Sequence, residues 1–348
     1  MENENKAKPE NAAGQIPGYK ILGKLGSGAM AVVYKAKQVS LDRTVAIKVL
    51  PNKFVGKSNY VERFYKEGRL AGRLNHNNIV QAYDVGEAKG LYYFVMEYVE
   101  GKSIYDDLSK GKIFEEKEAL EIMIQLAKAL EHAHAQGLIH RDIKPKNIMI
   151  TKEGVVKLAD LGLARTTDDS ETASAEKGKA FGTPFYIAPE QIKGEVDIDG
   201  RADIYGLGAT LYHMVTGSVP FKAQKPAEVM RKHLNEPLTP PDHINTKLSS
   251  GFCEIIETML AKKRSERYAN PSDLLKDLES VNKGMPPVFA RQTIDVSDLE
   301  ELEEGEAVER DESSQYSYAV IVKYRIIVAV LSAACLLLLI LLIFTASG

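Results

Sequence analysis

The chain has 348 residues, a formal net charge of −3 and a pI near 6.2, with no basic stripe, so nothing in it calls for nucleic acid as a partner. Its two cysteines, Cys253 and Cys335, lie far apart, which argues against a disulfide framework or a cysteine-rich metal site and suits a reducing compartment. The length exceeds one average domain but fits a two-lobed catalytic unit with appendages.

Residues 1–18 read as a polar tail without the basic start and apolar run of a secretion signal, so the bulk of the chain is expected in the cytoplasm. From Tyr19 to about residue 99, short alternating segments predict strands: Tyr19 to Leu25, Val32 to Ala36, and Thr44 to Leu50. In the third, Val45, Ile47 and Val49 share one face and Ala46 and Lys48 the other. The first two are joined through Leu25-Gly26-Ser27-Gly28-Ala29-Met30-Ala31-Val32-Val33. Its glycines let the backbone come close to phosphates, although a Gly-x-Gly between strands is more often an ordinary hairpin. Lys48 is followed by an amphipathic helix, on which Glu67 is the candidate ion-pair partner. Glu62 is the nearby rival, and helix phase does not separate the two.

After Gly101 helices dominate. Leu120, Met123, Ile124, Ala127 and Leu130 recur at helical spacing and lead into a loop reading His140-Arg141-Asp142-Ile143-Lys144-Pro145-Lys146-Asn147. Asp160-Leu161-Gly162 follows thirteen residues later. Asp142 can orient a substrate hydroxyl for in-line attack, and Lys144 can stabilise charge on a transferred phosphoryl group. Asn147 and Asp160 offer oxygen ligands suited to Mg²⁺. His140 reads as a packing residue, and His132 and His134, at i and i+2, point to different faces as surface or cleft-edge residues rather than metal ligands. Asp203 to Val215 is apolar nearly all round, with Gly206 and Gly208 permitting close approach, and Asn270-Pro271 starts a last amphipathic helix.

These motifs, in this order, resemble a eukaryotic-type (Hanks-type) serine/threonine protein kinase over residues 19 to about 281, and Gly182-Thr183-Pro184-Phe185-Tyr186-Ile187-Ala188-Pro189-Glu190-Gln191 is similar to the bacterial members. The resemblance implies an α+β, two-lobed fold with a small β-rich lobe and a large helical lobe, with ATP and Mg²⁺ as cofactors and proteins as substrates. It implies nucleotide contacts from Leu25, Gly26, Ser27, Gly28, Ala29, Val33, Lys48 and Glu67, and adenine contacts from the Glu97 carbonyl and the Val99 N–H beside the gatekeeper Met96. By the same resemblance Thr183 shapes the substrate pocket, Glu190 pairs with Arg267, and Asp203 braces the backbone at His140-Arg141. The sequence departs from the family pattern in Ala31, where a third glycine is usual, and in Leu161, where phenylalanine is commoner.

Gly284-Met285-Pro286-Pro287 breaks the last helix and places the kinase-like domain at 19–282, with a linker over 283–322. Asp295 to Glu312 carries ten acidic residues and one basic one, as expected of a solvated tether. Ile326 to Phe344 is nineteen residues without a charge, roughly 28 Å as a helix, so a single membrane anchor is expected over 323–345. Lys323 and Arg325 put the catalytic bulk on the cytoplasmic side, at the inner membrane in a bacterium, leaving 346–348 as a short outside tail. Thr172 and Ser174 are the favoured phosphorylation sites between Asp160 and Glu190, where a phosphate could neutralise Arg141. Tethering would favour trans-autophosphorylation in a transient homodimer. The competing readings are a pseudokinase scaffold, which predicts loss of Lys48, Asp142 or Asp160, and a small-molecule phosphotransferase, which has no use for the 182–190 segment.

Overall fold

Alternation along the early strands sets the smaller lobe. The computed structural model describes residues 16–27, 31–51, 54, 58–160, 165–166 and 184–290. Strands β1 (Tyr19–Ser27), β2 (Val32–Gln38), β3 (Arg43–Val49), β4 (Ala82–Ala88) and β5 (Leu91–Glu97) form an antiparallel sheet in the order β1-β2-β3-β5-β4. Val45, Ile47 and Val49 pack on one face with Ile16, Ala36, Leu91 and Val95, which leaves Ala46 and Lys48 on the other, as period two requires. Between β3 and β4 lies helix α1 (Ser58–Ala71). Phe64, Leu70 and Ala71 of α1 join Phe94 of the sheet and Ala129, Ala133 and Leu138 of the larger lobe in one apolar cluster. That cluster couples the position of α1 to both lobes.

The larger lobe begins with β6 (Gly101–Ser103) and a short helix α2 (Ile104–Leu108), whose N-cap Ser103 closes a capping box with Asp106. Helix α3 (Glu116–Ala135) buries Leu120, Met123, Leu126, Ala127 and Leu130 along one stripe. Strands β7 (Leu138–Ile139), β8 (Ile148–Thr151) and β9 (Val156–Leu158) then carry the polar loops, and β10 (Arg165–Thr166) pairs with β7. The rest is helical: α4 (Pro189–Lys193), α5 (Arg201–Thr216), α6 (Pro226–Asn235), α7 (Ser250–Met259) and α8 (Pro271–Asn282).

Helix α5 is buried almost throughout, as its composition predicts. A Cβ on Gly208 would sit 2.7 Å from the Met259 Cβ, and one on Gly206 would sit 3.2 Å from the Ile143 carbonyl oxygen, so both glycines set how closely neighbouring chain approaches. The Asn270 side chain caps α8 by accepting from the Asp273 N–H, with Pro271 in the first turn. The helix ends at Asn282, but the chain stays attached for eight further residues. Asp277, fully buried on α8, accepts from the Tyr268 hydroxyl (2.9 Å) and from the backbone N–H groups of Val288 (2.6 Å), Phe289 (3.1 Å) and Ala290 (2.9 Å). Among the described residues no helix is long and apolar enough to cross a membrane, and the segment 326–344 lies outside them.

Candidate active site

The site grows from β3, α1 and the loops that follow β7 and β9. Lys48 projects from β3 toward the cleft, paired in register with Val33 of β2 on one side and Phe94 of β5 on the other. Its ammonium donates to Glu67 Oε1 at 2.5 Å and to Asp160 Oδ1 at 2.8 Å. Glu67 is buried and Glu62 is exposed, so the rotation of α1 settles which glutamate turns inward. Burial works against the Lys48 charge, but the Asp160 and Glu67 carboxylates outweigh it and raise its pKa. Burial pushes Glu67 up, opposed by Lys48. Lys48 holds Asp160 down at about 2, although the Asp160 side chain keeps 47% of its surface open.

The loop after β7 is fixed from behind. Asp203, at the start of α5, accepts the His140 N–H at 2.9 Å and the Arg141 N–H at 2.7 Å. Burial disfavours the Asp203 charge, yet contacts with His134 and His140 keep its pKa below the ordinary carboxylate value. Arg141 and Asp160 both have positive φ, 66° and 65°, in the left-handed region that non-glycine residues seldom occupy. Such strain persists where surrounding bonds impose it. At Arg141 they are the Asp203 bond to its N–H and the Gln191 amide donating to its carbonyl at 2.8 Å. The His140 ring bridges the two loops: Nδ1 accepts from the Asp142 N–H (3.3 Å) while Nε2 donates to the Ala159 carbonyl (3.2 Å). It packs and positions, as expected.

Asp142 and Lys144 meet at 2.5 Å, and the Asn147 amide donates to the Asp142 backbone carbonyl at 2.9 Å. With its NH₂ turned inward, Asn147 keeps its side-chain oxygen for another partner. That oxygen and the open Asp160 carboxylate are hard donors of the kind Mg²⁺ takes alongside phosphate oxygens, so this donor set fits the ion.

Leu25, Gly26 and Ser27 are exposed at the end of β1, while Ala31 is buried. Met96 pairs with Ala46 and Ala82 and packs against the cluster under α1. Glu97 and the buried Val99 follow it, and the Glu97 N–H is already bonded to the Gln81 carbonyl (2.9 Å). Gly28, Ala29, Leu161, Thr172, Ser174 and Thr183 lie outside the described residues.

Glu190 and Arg267 form a doubly bonded pair at 2.7 and 2.9 Å beneath the site. Sequence reasoning missed several supports. His134 is not a surface histidine, because its Nε2 lies 2.8 Å from Asp203 Oδ2, while His132 stacks on His76 with ring centroids 5.3 Å apart. The buried Asn78 amide donates to Gln125 and to the Val156 carbonyl, both at 2.8 Å, and Lys157 pairs with Glu97 at 2.8 Å. Only buried polar character could have flagged these residues, and burial is not written locally in the chain.

A family model described as the protein kinase domain matches residues 19–277. Among curated proteins, the "Probable serine/threonine-protein kinase" of Clostridium perfringens is 40% identical over 265 residues, covering 76% of this chain and 38% of that protein. A "Probable serine/threonine-protein kinase" of Clostridium acetobutylicum is 38% identical over 263 residues, covering 76% and 40%. The "Serine/threonine-protein kinase PknB" of Mycobacterium tuberculosis is 37% identical over 267 residues, covering 76% and 42%. The chain thus spans about two-fifths of the length of these curated relatives. With Lys48 of the β-rich lobe, itself held by Glu67, bonded to Asp160 of the helical lobe, and with the family model spanning both lobes, the chain belongs to the protein kinase domain family.

Proposed function

We propose that this protein is a membrane-tethered serine/threonine protein kinase that moves the γ-phosphoryl group of ATP onto Ser or Thr hydroxyls of proteins. The observation that carries this reading is the Lys48 ammonium held between Glu67 and Asp160. A scaffold that had given up chemistry would have no use for that assembly. The adenine edge meets the Glu97 carbonyl and the Val99 N–H, and Lys48 neutralises the α- and β-phosphates. Asp142 accepts a hydrogen bond from the substrate hydroxyl and takes its proton as the oxygen attacks. One O–P bond forms at the γ-phosphorus, the bond to the β-phosphate oxygen breaks, and ADP leaves. Lys144, beside Asp142, stabilises the charge on the group in transit. Mg²⁺, when bound by Asn147 and Asp160, neutralises phosphate charge. The test is phosphate transfer from labelled ATP by the full chain beside Asp142→Asn. Incorporation on Ser and Thr should fall about a thousandfold or more in the variant. Equal incorporation in both proteins would refute the assignment.

The anchor at 326–344 and autophosphorylation at Thr172 or Ser174 belong to the same reading. Support for the anchor comes from nineteen uncharged residues after Lys323 and Arg325, which leave the kinase domain on the cytoplasmic side. Support for the phosphosites is the buried Arg141 cation next to Asp142. The full chain should stay in the membrane pellet through carbonate extraction, and phosphopeptide mapping of active protein should find Thr172 or Ser174 modified. Carbonate release, or an active protein unmodified at both, would defeat the corresponding half.

A further inference from the structure

Beyond α8 the backbone has no free donor. Gly284, at φ 74°, turns the chain off the helix, and the Met285 N–H bonds back to the Ser280 carbonyl at 3.0 Å. Pro286 and Pro287 carry no N–H, and those of Val288, Phe289 and Ala290 all bond to Asp277. From 285 to 290, every backbone N–H is therefore absent or bonded inward. The side chains are divided. Pro287 is buried, so close to α7 that a Cβ on Gly251 would meet its Cδ at 2.9 Å, and Ala290 is buried as well. Met285, Val288 and Phe289 stand 51%, 65% and 45% exposed. Large apolar side chains gathered so closely make a patch, where scattered single ones would need no explanation. Lys276 lies 5.2 Å from the centre of the Phe289 ring, with Asp273 also on it at 3.2 Å. Lys283, at the C-cap of α8, is exposed and has no carboxylate partner among the described residues.

We propose that this patch rests on the surface of an anionic bilayer, with Met285, Val288 and Phe289 entering the headgroup boundary and Lys283 meeting lipid phosphates. The donor inventory favours lipid over protein. Apolar surroundings penalise unbonded N–H groups, and this segment has none to strand. A peptide adding its own backbone would find no free donor there to pair with. Methionine, valine and phenylalanine bind through area rather than direction, and a cation at their edge completes the composition of an interfacial contact. Position agrees with composition. The described residues end at Ala290, inside the patch, and the chain that follows leads to the uncharged segment 326–344. The choice of occupant rests on the anchor proposed above, whereas the geometry of the patch does not.

The chain contains no tryptophan, so Phe289→Trp introduces a single fluorescent reporter. The full chain carrying it is reconstituted into vesicles of phosphatidylcholine and phosphatidylglycerol. Brominated acyl chains should quench the indole emission by about half, and adding Met285→Asp and Val288→Asp should remove the quenching. Both of those side chains are exposed, so the thermal midpoint should hold. Omitting phosphatidylglycerol, or adding Lys283→Glu, should cut the quenching about twofold. Flotation of the vesicles reports on the anchor separately. A chain that floats with the vesicles while bromine leaves the indole untouched would overturn the patch and keep the anchor. A chain that does not float but is still quenched would keep the patch and remove the anchor, and failure of both would remove both. An indole shielded from aqueous acrylamide yet not quenched by bromine would mean that protein covers the patch, and would overturn the lipid. Equal quenching in neutral vesicles would overturn the role given to Lys283.

Discussion

Two buried ion pairs hold this molecule together for opposite purposes. Arg267 spends all five of its donors: two on Glu190, and one each on the carbonyls of Ala261 (2.8 Å), Arg201 (3.1 Å) and Lys262 (3.1 Å). Lys48 has three donors, and its partners among the described residues are two, Glu67 and Asp160. The first pair is closed on every side in the helical lobe, with the Arg267 side chain fully buried. The second is one bond short, at the edge of a cleft where Asp160 remains half open. A closed pair fixes geometry, and an open one leaves a cation free to meet a phosphate.

The contrast breaks most visibly at Lys48. Lys48→Met should lower kcat/KM for ATP-dependent transfer by about a thousandfold while moving the urea midpoint little. Glu67, which burial already pushes toward the protonated form, can take up a proton once its cation is gone. A steady-state assay paired with a urea melt checks both halves, and a large loss of stability would show the pair to be structural after all. Arg267→Met should do the reverse. It strands a buried carboxylate and three carbonyls, and should cost about 3–5 kcal/mol of unfolding free energy. A midpoint within error of the parent would sink that reading.

Acid sharpens the comparison further. His233, fully buried between Tyr205 and Phe221, has its pKa lowered to about 3 by burial and then by Lys262. Below about pH 6.5 the unfolded chain binds a proton that the folded chain does not, so stability present above that pH drains away as the pH falls toward 3. Between pH 6.5 and 5 the loss should be about 2 kcal/mol. Urea melts across that range should show it in the parent, and His233→Phe should flatten it. An unchanged slope in the variant would assign the acid lability of the helical lobe elsewhere.

Periodic and local signals carried well from sequence to structure. The alternation in β3 put Lys48 on the cleft side, Asn270-Pro271 marked the start of α8 where its cap is seen, and the apolar run with two glycines became the buried α5. The loop residues Asp142, Lys144 and Asn147 were legible through their resemblance to the kinase signature, and the structure brings the three together. What stayed hidden depends on groups far apart in the chain. Glu62 and Glu67 differ by little more than a turn, and only packing against Phe94 and Leu138 rotates α1 so that Glu67 points inward. His134 looks like any histidine on an exposed helix until Asp203, 69 residues later, comes to lie against it. Nothing around Asp277 announces that it will gather three N–H groups from residues 288 to 290.

That last contact has a mechanical meaning. Tension applied to the chain beyond Ala290 arrives first at the three N–H groups on Asp277, and through α8 it passes into α3, with Lys128 and Glu279 between the two helices. The load thus meets Asp277 before it can reach α3, whose His134 backs Asp203 behind the catalytic loop. Asp277 acts as a cleat at which a pull on the tail stops, so the fold can be moored from that end without its working parts being dragged out of line.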